Sequence, residues 1–296
     1  MEISIVTDEL SADPETAIEL GVQWGVKYFE LRGYFNERVP QFSPYQKQHL
    51  RDVLDRYGAR IIAIGPGLFK MPLPPAVPPQ LSLSWMASAA YSTWAKERDE
   101  VQYHLHELLP RSLEYAGELG VDRIVIFGFD RGGAPAGTPP DEMLEILSRA
   151  AQTAYSAGVL LVLENEAGFW ADTGARTAEI IRAVNHPGLA VNWDPGNAFF
   201  ASDCPFPDGY QAVRDFVRHV HVKDARRCPD GSLEYASQGD INWSGQIRAL
   251  MEDGYSGYLS VETHLAPKVA EARSSVRRLR KWIAQARCFN QNERYA

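Results

Sequence analysis

The chain has 296 residues, of which 45% are apolar and 23% charged, and a net charge of −8 at pH 7. That balance is ordinary for a globular domain, and the length allows one large core without disulfide or metal staples. The acidic excess argues against a nucleic-acid partner, and no apolar run reaches the roughly 18 residues that a membrane-spanning helix needs.

The first apolar run is ISIVT from Ile3. DPETAIELGVQWG follows and reads as a helix with Asp13 as N-cap and Pro14 in the first turn. VKYFEL from Val26 is the second strand, and SPYQKQHLRDVLDRYG the next helix, from Ser43-Pro44 to Gly58. RIIAIG from Arg60 is the third strand. There the alternation lapses. MPLPPAVPPQLSLSWMASAAYSTWAKERDE is Pro-rich and then aromatic, and a helix is predicted only over Val101–Leu119. Residues 71–100 read as an insertion after strand three, either a lid over the site or a plain surface loop. DRIVIFGF from Asp122, VLLVLE from Val159, LAVNWD from Leu189, HVHVKD from His219 and GYLSVE from Gly257 complete the set of strands. Between them GARTAEIIRAV is a helix with Thr177 as candidate cap, and NWSGQIRALMEDGY one that opens at Asn242 or Ser244. CFNQNERYA reads as a loose terminus, so residues 286–296 are taken as a tail.

Short continuous apolar runs fit strands buried on both faces, and their alternation with helices implies parallel βαβ units. The later strands recur at about the spacing that a 250-residue barrel divided by eight requires. The expectation is an α/β chain of one domain, a (β/α)₈ TIM barrel over residues 1–285. Cys204, Cys228 and Cys288 match neither a CxxC pair nor a disulfide framework, so a reducing cytoplasm is the natural compartment. The start, MEISIVTDELSADPE, has no basic stretch or long apolar region, so no signal peptide is expected.

Polar groups gather where four consecutive strands end: Glu164 in VLLVLE, Asp194 in LAVNWD, His221 in HVHVKD and Glu262 in GYLSVE. In an eightfold barrel such tips share one mouth. Alternation turns His219 and His221 to one side and Val220 and Val222 to the other. Three carboxylates and an imidazole suit Mn²⁺, Mg²⁺, Co²⁺ or Zn²⁺, and without a cation the converging negative charges would repel. Taken singly, each residue has a plainer reading as a solvated strand end, a core histidine or, in DPGN, a turn.

The segments VLENE, VNWDPGN, HVHVKDA and LSVETH, in this order, resemble the xylose isomerase-like barrels of the sugar phosphate isomerase/epimerase superfamily. VTDELS and YFELRG resemble the first two strand ends of many members. That superfamily includes ketose 3-epimerases, hydroxypyruvate isomerases, inosose-metabolising enzymes and endonucleases of the endonuclease IV type, and its members are often dimers or tetramers. The resemblance implies metal ligands at Glu164, Asp194, His221 and Glu262, proton transfer by Glu164 and Glu262, and a small carbohydrate substrate held by Arg227, with Arg226 beside it. Two departures matter. Asn197 stands where many epimerases carry a His, and Gly65-Pro66 and Gly128-Phe129 stand where the trinuclear endonucleases need extra His ligands.

The chemistry is coherent without the family. A divalent ion on a carbonyl and its neighbouring hydroxyl oxygen stabilises an enediolate, and two carboxylates can take a proton from carbon and return one. Return to the opposite face gives an epimer, and return to the adjacent carbon an isomer. Glu30 and Arg32 either face the mouth or pair across neighbouring elements; Lys70 and Arg131 are anion-binding candidates or exposed side chains; Lys223 is a substrate contact. His264 and Glu166 are candidates to orient the ligands or touch substrate, and Trp85, Trp94, Phe129, Phe169, Trp170 and Trp193 to wall the pocket. The competing readings are a metal-dependent dehydratase or lyase and a non-catalytic sugar-binding barrel.

Overall fold

The computed structural model describes residues 1–79 and 85–293. Eight parallel strands close into a barrel: β1 (Glu2–Val6), β2 (Tyr28–Leu31), β3 (Arg60–Leu68), β4 (Arg123–Phe127), β5 (Leu160–Glu164), β6 (Leu189–Trp193), β7 (Val217–Val222) and β8 (Tyr258–Val261). Each strand pairs with its sequence neighbours, and β1 pairs with β8 through Ile3↔Leu259 and Ile5↔Val261 to close the ring. The outer helices are α1 (Pro14–Gln23), α2 (Pro44–Tyr57), α3 (Trp85–Tyr103), α4 (Leu109–Leu119), α5 (Asp141–Ser156), α6 (Gly174–Val184), the short α7 (Pro195–Phe200) and α8 (Tyr210–Val213), α9 (Trp243–Glu252) and α10 (Lys268–Glu293).

Local chemistry sets the helix starts. Asp13 accepts from the amides of Glu15 and Thr16 at the head of α1, and Ser43 and Gln46 form a reciprocal capping box on α2, which stops at left-handed Gly58. Asn242 caps α9 through the Gly245 amide. On α6 the cap is Thr173, which accepts from the Arg176 amide, and not Thr177, which is buried inside the helix. The expected cap was placed one turn late because both positions carry the same residue type.

The main core lies between sheet and helices and includes Ile5, Phe29, Leu50, Leu147, Leu163, Val191 and Leu259. Glu164 faces the barrel interior, and residues two apart on a strand share a face, so Val162 faces inward too. With its register neighbours Val125 and Ala190 it forms a small apolar cluster separate from the main core. The cluster packs the barrel beneath the polar groups.

Two expectations change. Within 71–100, residues 80–84 lie outside the described residues, but α3 begins at Trp85 and runs through a π turn at His104–Leu108 into α4. The helix thus starts well before Val101. WMASAAY is rich in alanine and lacks Gly and Pro, which favours helix, while residues 89–100 are half-exposed or exposed and carry no apolar stripe to betray it. Trp94 donates to the Pro75 carbonyl at 2.7 Å, and Arg98 pairs with Glu142 at 2.6 Å, fastening this helix to the Pro-rich stretch and to α5. At the other end, α10 continues through Glu293, so residues 286–293 of the expected tail are helical; 294–296 lie outside the described residues. Cys204, Cys228 and Cys288 are unpaired. Among the described residues no helix is long and apolar enough to cross a membrane.

Leu163 sits in the sheet–helix core with no solvent exposure. Leu163→Ala should lower unfolding free energy by about 2–5 kcal/mol, read as a drop in urea midpoint at unchanged slope.

Candidate metal centre

Glu164 is the last residue of β5, Asp194 follows the last residue of β6, His221 lies within β7 and Glu262 follows the end of β8. All four are buried, and one ligand atom from each lies within 4.8 Å of all the others. His221 Nδ1 is 3.3 Å from Glu164 Oε1, 3.1 Å from Glu262 Oε2 and 3.9 Å from Asp194 Oδ2.

Each of these side chains is held in place by a neighbouring group. Asp194 divides its oxygens. Oδ1 accepts from the Asn197 amide at 2.9 Å and caps α7, which leaves Oδ2 turned to the cluster. Its backbone is clamped by Asn165, whose side chain accepts from the Asp194 N–H and donates to its carbonyl, both at 2.8 Å. Pro195 starts the helical turn. Gly196 is required by contact, because a Cβ there would lie 2.2 Å from Lys223 Cγ. Asn197 donates to Glu164 Oε1 at 3.1 Å and to the Asn165 carbonyl at 2.9 Å. The DPGN run is therefore both a turn and a scaffold.

Glu30, at the end of β2, is fully buried and accepts from both strand-seven histidines, with Oε2 2.9 Å from His219 Nε2 and 2.9 Å from His221 Nε2. Holding His221 by Nε2 points Nδ1 at the carboxylates, the arrangement in which a partner carboxylate fixes a ligating imidazole. Ser260 Oγ lies 3.1 Å from His219 Nε2 and donates to Ser4 Oγ at 3.0 Å. Burial holds His219 below the ordinary histidine range despite Glu30.

Arg32 spans three strand ends. It pairs with Asp8 at 2.8 Å, with Glu9 at 3.5 Å and, in close contact, with Glu262. Glu9 also accepts from the Thr263 hydroxyl at 3.1 Å and the His264 amide at 2.9 Å. Lys223 Nζ stands among the carboxylates, 2.8 Å from Asp194 Oδ2, 2.7 Å from Glu262 Oε2 and 3.9 Å from Glu164 Oε1.

The electrostatics follow from this packing. Burial pushes the Glu262 carboxyl up, but Lys223, Arg32 and His221 outweigh it and hold it well below the ordinary range. Burial likewise raises Glu164, and the charge and hydrogen bond of His221 more than offset that. Asp194 is pushed up to about 6 by burial, against the attraction of Lys223 and with repulsion from Glu164 and Glu262. Lys223 and His221 are both raised well above their ordinary values, because neighbouring carboxylates outweigh burial.

The donor set fits a divalent ion. Asp194 Oδ2, His221 Nδ1 and Glu262 Oε2 are buried and make no aligned hydrogen bond, and two hard oxygens and an imidazole nitrogen converging in this way match a cation's needs. Glu30, His219 and His221 also converge. Their mutual hydrogen bonds account for that grouping.

The cavity above these groups holds about 120 Å³. Its lining includes the expected Glu30, Arg32, Lys70, Glu164, Asn197, His221, Lys223, Glu262 and His264. Lys70 is paired with Glu166 at 2.7 Å and lies 4.3 Å over the Phe127 ring. Two expected substrate contacts lie elsewhere. Arg227 is exposed on the hairpin Ala225–Arg227/Leu233–Tyr235, with its amide on Asp240 and its guanidinium on the Gly231 carbonyl. Arg131 pairs with Asp172 at 2.5 Å and bonds the Phe169 carbonyl. The aromatic lining is Phe127 and Tyr235, whereas Phe129 and Trp193 are fully buried core residues. Arg38 and Tyr235 were missed; both come from short hairpins after strands, and no local pattern marks them.

Wider grooves open at the opposite end of the barrel, one of about 420 Å³ beside Glu2, Lys27 and Tyr28, but among the described residues no cluster of His, Cys, Asp or Glu fit for a metal lies there.

A closed eightfold barrel with acidic and imidazole side chains gathered at its strand ends defines the class, and comparison with known proteins defines the family. Residues 18–282 match the xylose isomerase-like TIM barrel family, and the chain belongs to it. An inosose dehydratase of Bacillus licheniformis is 28% identical over 161 residues, 48% of this chain and 52% of the relative. The chain spans about half the length of the curated relatives it matches. Among solved structures, the IolI protein with a bound zinc atom has a TM-score of 0.69 at 17% identity, covering 97% of this chain and 99% of that one. An L-ribulose 3-epimerase has a TM-score of 0.66 at 17% identity, covering 98% and 97%. At these identities the structural likeness is one of fold.

Asn165→Ala would strip both bonds from the buried Asp194 backbone. An unfolding free energy lower by about 2–6 kcal/mol is expected in urea titrations, since each of the two orphaned buried groups costs about 1–3 kcal/mol.

Proposed function

We propose that this protein is a divalent-metal-dependent isomerase or epimerase acting on a sugar or related hydroxy-carbonyl compound. The observation that carries the reading is the convergence of Glu164, Asp194, His221 and Glu262 on one buried point at the barrel mouth. These four would hold the ion. Bound there, a divalent cation supplies Lewis-acid polarisation of a carbonyl and its neighbouring hydroxyl.

The chain's own residues do the rest. Glu164 and Glu262 come from β5 and β8 and reach the cluster from separate strands, flanking His221 Nδ1. One Glu enters as the carboxylate and takes the proton from the carbon beside the carbonyl; the other, having picked up a proton from water before the substrate binds, enters as the acid and returns one, so the two end with their roles exchanged. Asn197 and Asn192 orient Glu164, at 3.1 and 3.4 Å, and Arg32 orients Glu262. Lys223 and His264 border the same space, 3.4 Å apart, and can donate to substrate oxygens. The small buried cavity keeps bulk water from the reacting carbon.

A second reading, dehydration, is supported by the inosose dehydratase relatives. The same base would remove the proton, and a β-hydroxyl would leave with a proton from the second Glu.

Metal-loaded protein incubated in D₂O with a panel of ketoses and keto acids should place deuterium at the carbon beside the carbonyl. Glu164→Gln and Glu262→Gln should each slow that uptake about 10²- to 10⁴-fold; full rates in both would remove them from proton transfer. Loss of water from a panel member would favour the dehydratase. Separately, Glu30→Gln should weaken Mn²⁺ or Zn²⁺ binding about 10- to 100-fold, measured by calorimetry on the folded variant, because His221 loses its anionic partner.

A further inference from the structure

Four Lys and Arg side chains line the cavity, and three of them have acidic partners: Arg32 with Asp8 and Glu262, Lys70 with Glu166, and Lys223 with Asp194 and Glu262. Arg38 has no carboxylate within ion-pair distance among the described residues. It sits on the hairpin Gly33–Tyr34/Glu37–Arg38 after β2, where it borders both the cavity and an outer groove of about 300 Å³.

Its position is fixed. Arg38 Nε donates to the Gly65 carbonyl at 3.0 Å, and the guanidinium lies against Gly67, where a Cβ would stand 3.2 Å from Nε and 3.3 Å from Cζ. Gly67 has φ +83°, so a side chain there would be strained as well as crowded. At Gly65 a Cβ would come within 3.0 Å of Arg32 Cγ. The two glycines of GPGLF thus let both arginines lie against the end of β3. Arg38 is exposed as a whole residue, yet desolvation and repulsion from Arg32 hold its guanidinium below the ordinary arginine value, whereas Arg32 is raised by its carboxylates. Arg38 has no direct carboxylate partner among the described residues, although Asp8, Glu164 and Glu262 attract it from farther off.

With Nε occupied, the Nη1 and Nη2 pair remains. Two parallel N–H groups match the two oxygens of a planar carboxylate. We infer that Arg38 is a specificity residue that receives a carboxylate at one end of the substrate, so that the compounds taken are sugar acids or hydroxy-keto acids in preference to neutral sugars. The inference rests on the isomerase or epimerase reading of the same cavity.

The test uses two probes of equal chain length, D-gluconate and sorbitol, titrated calorimetrically into Mn²⁺-loaded protein, wild type, Arg38→Gln and Arg38→Lys. Gluconate should bind wild type about 10- to 100-fold tighter than sorbitol. Arg38→Gln should abolish that preference with sorbitol affinity unchanged, and Arg38→Lys should keep part of it. Melting temperatures show that the variants are folded. Equal affinities in wild type, no measurable gluconate binding, or a preference that survives Arg38→Gln (the carboxylate then sits on the ion) overturns the assignment. Deuterium uptake separates the two ideas. Uptake only into neutral ketoses overturns the carboxylate site and leaves the isomerase reading standing. An Arg38-dependent gluconate preference with no uptake into any compound does the reverse.

Discussion

Negative charge packed out of water is the constraint around which this molecule is organised. Glu164, Asp194 and Glu262 are all buried and converge on one point. Like charges brought together in a low dielectric raise one another's cost, and the barrel tolerates them only because positive groups are built around them. Lys223 stands among the three, His221 beside them and Arg32 behind Glu262. A further carboxylate, Glu30, holds His221 by Nε2 from the far side. The polar shell is thus an alternation of sign, in which three buried donor atoms lack aligned hydrogen bonds and two of them lie beside the Lys223 ammonium.

Much of this was legible in the sequence, for physical reasons. Strands buried on both faces must be apolar runs, and a carboxylate or imidazole ending such a run has only the barrel mouth to enter. That reasoning located Glu164, Asp194, His221 and Glu262. Period-two alternation placed His219 beside His221 on one face, and both meet Glu30. What could not be read was partner choice. Whether Glu30 and Arg32 faced the mouth or paired across neighbouring elements depends on neighbours far along the chain; both line the cavity and both also pair with residues of other strands.

Residues outside regular elements were harder. Arg227 lies close after β7, yet its hairpin turns it into solvent and brings Tyr235 to the cavity. Arg131 was legible as an anion-binding side chain, and the anion it meets is the protein's own Asp172. The early start of α3 was hidden because a largely exposed helix needs no apolar stripe. Hairpin geometry, which brings in Arg38, is set by a handful of backbone angles that no periodicity reports.

Arg32 also has a part in how the chain comes together. It joins the ends of β1 and β2 to Glu262 beyond β8, 230 residues away in sequence, and Glu9 reaches Thr263 across a separation of 254. These bonds cross the seam where the ring of strands closes. Contacts so distant along the chain form only after a large loop-closure cost has been met. A ribosome-bound chain that has emerged only as far as β6 would carry Glu164 and Asp194 while lacking His221, Lys223 and Glu262. The lysine and imidazole that face Glu164 and Asp194 thus arrive only with β7, and a half-built barrel has an electrostatic reason to stay open.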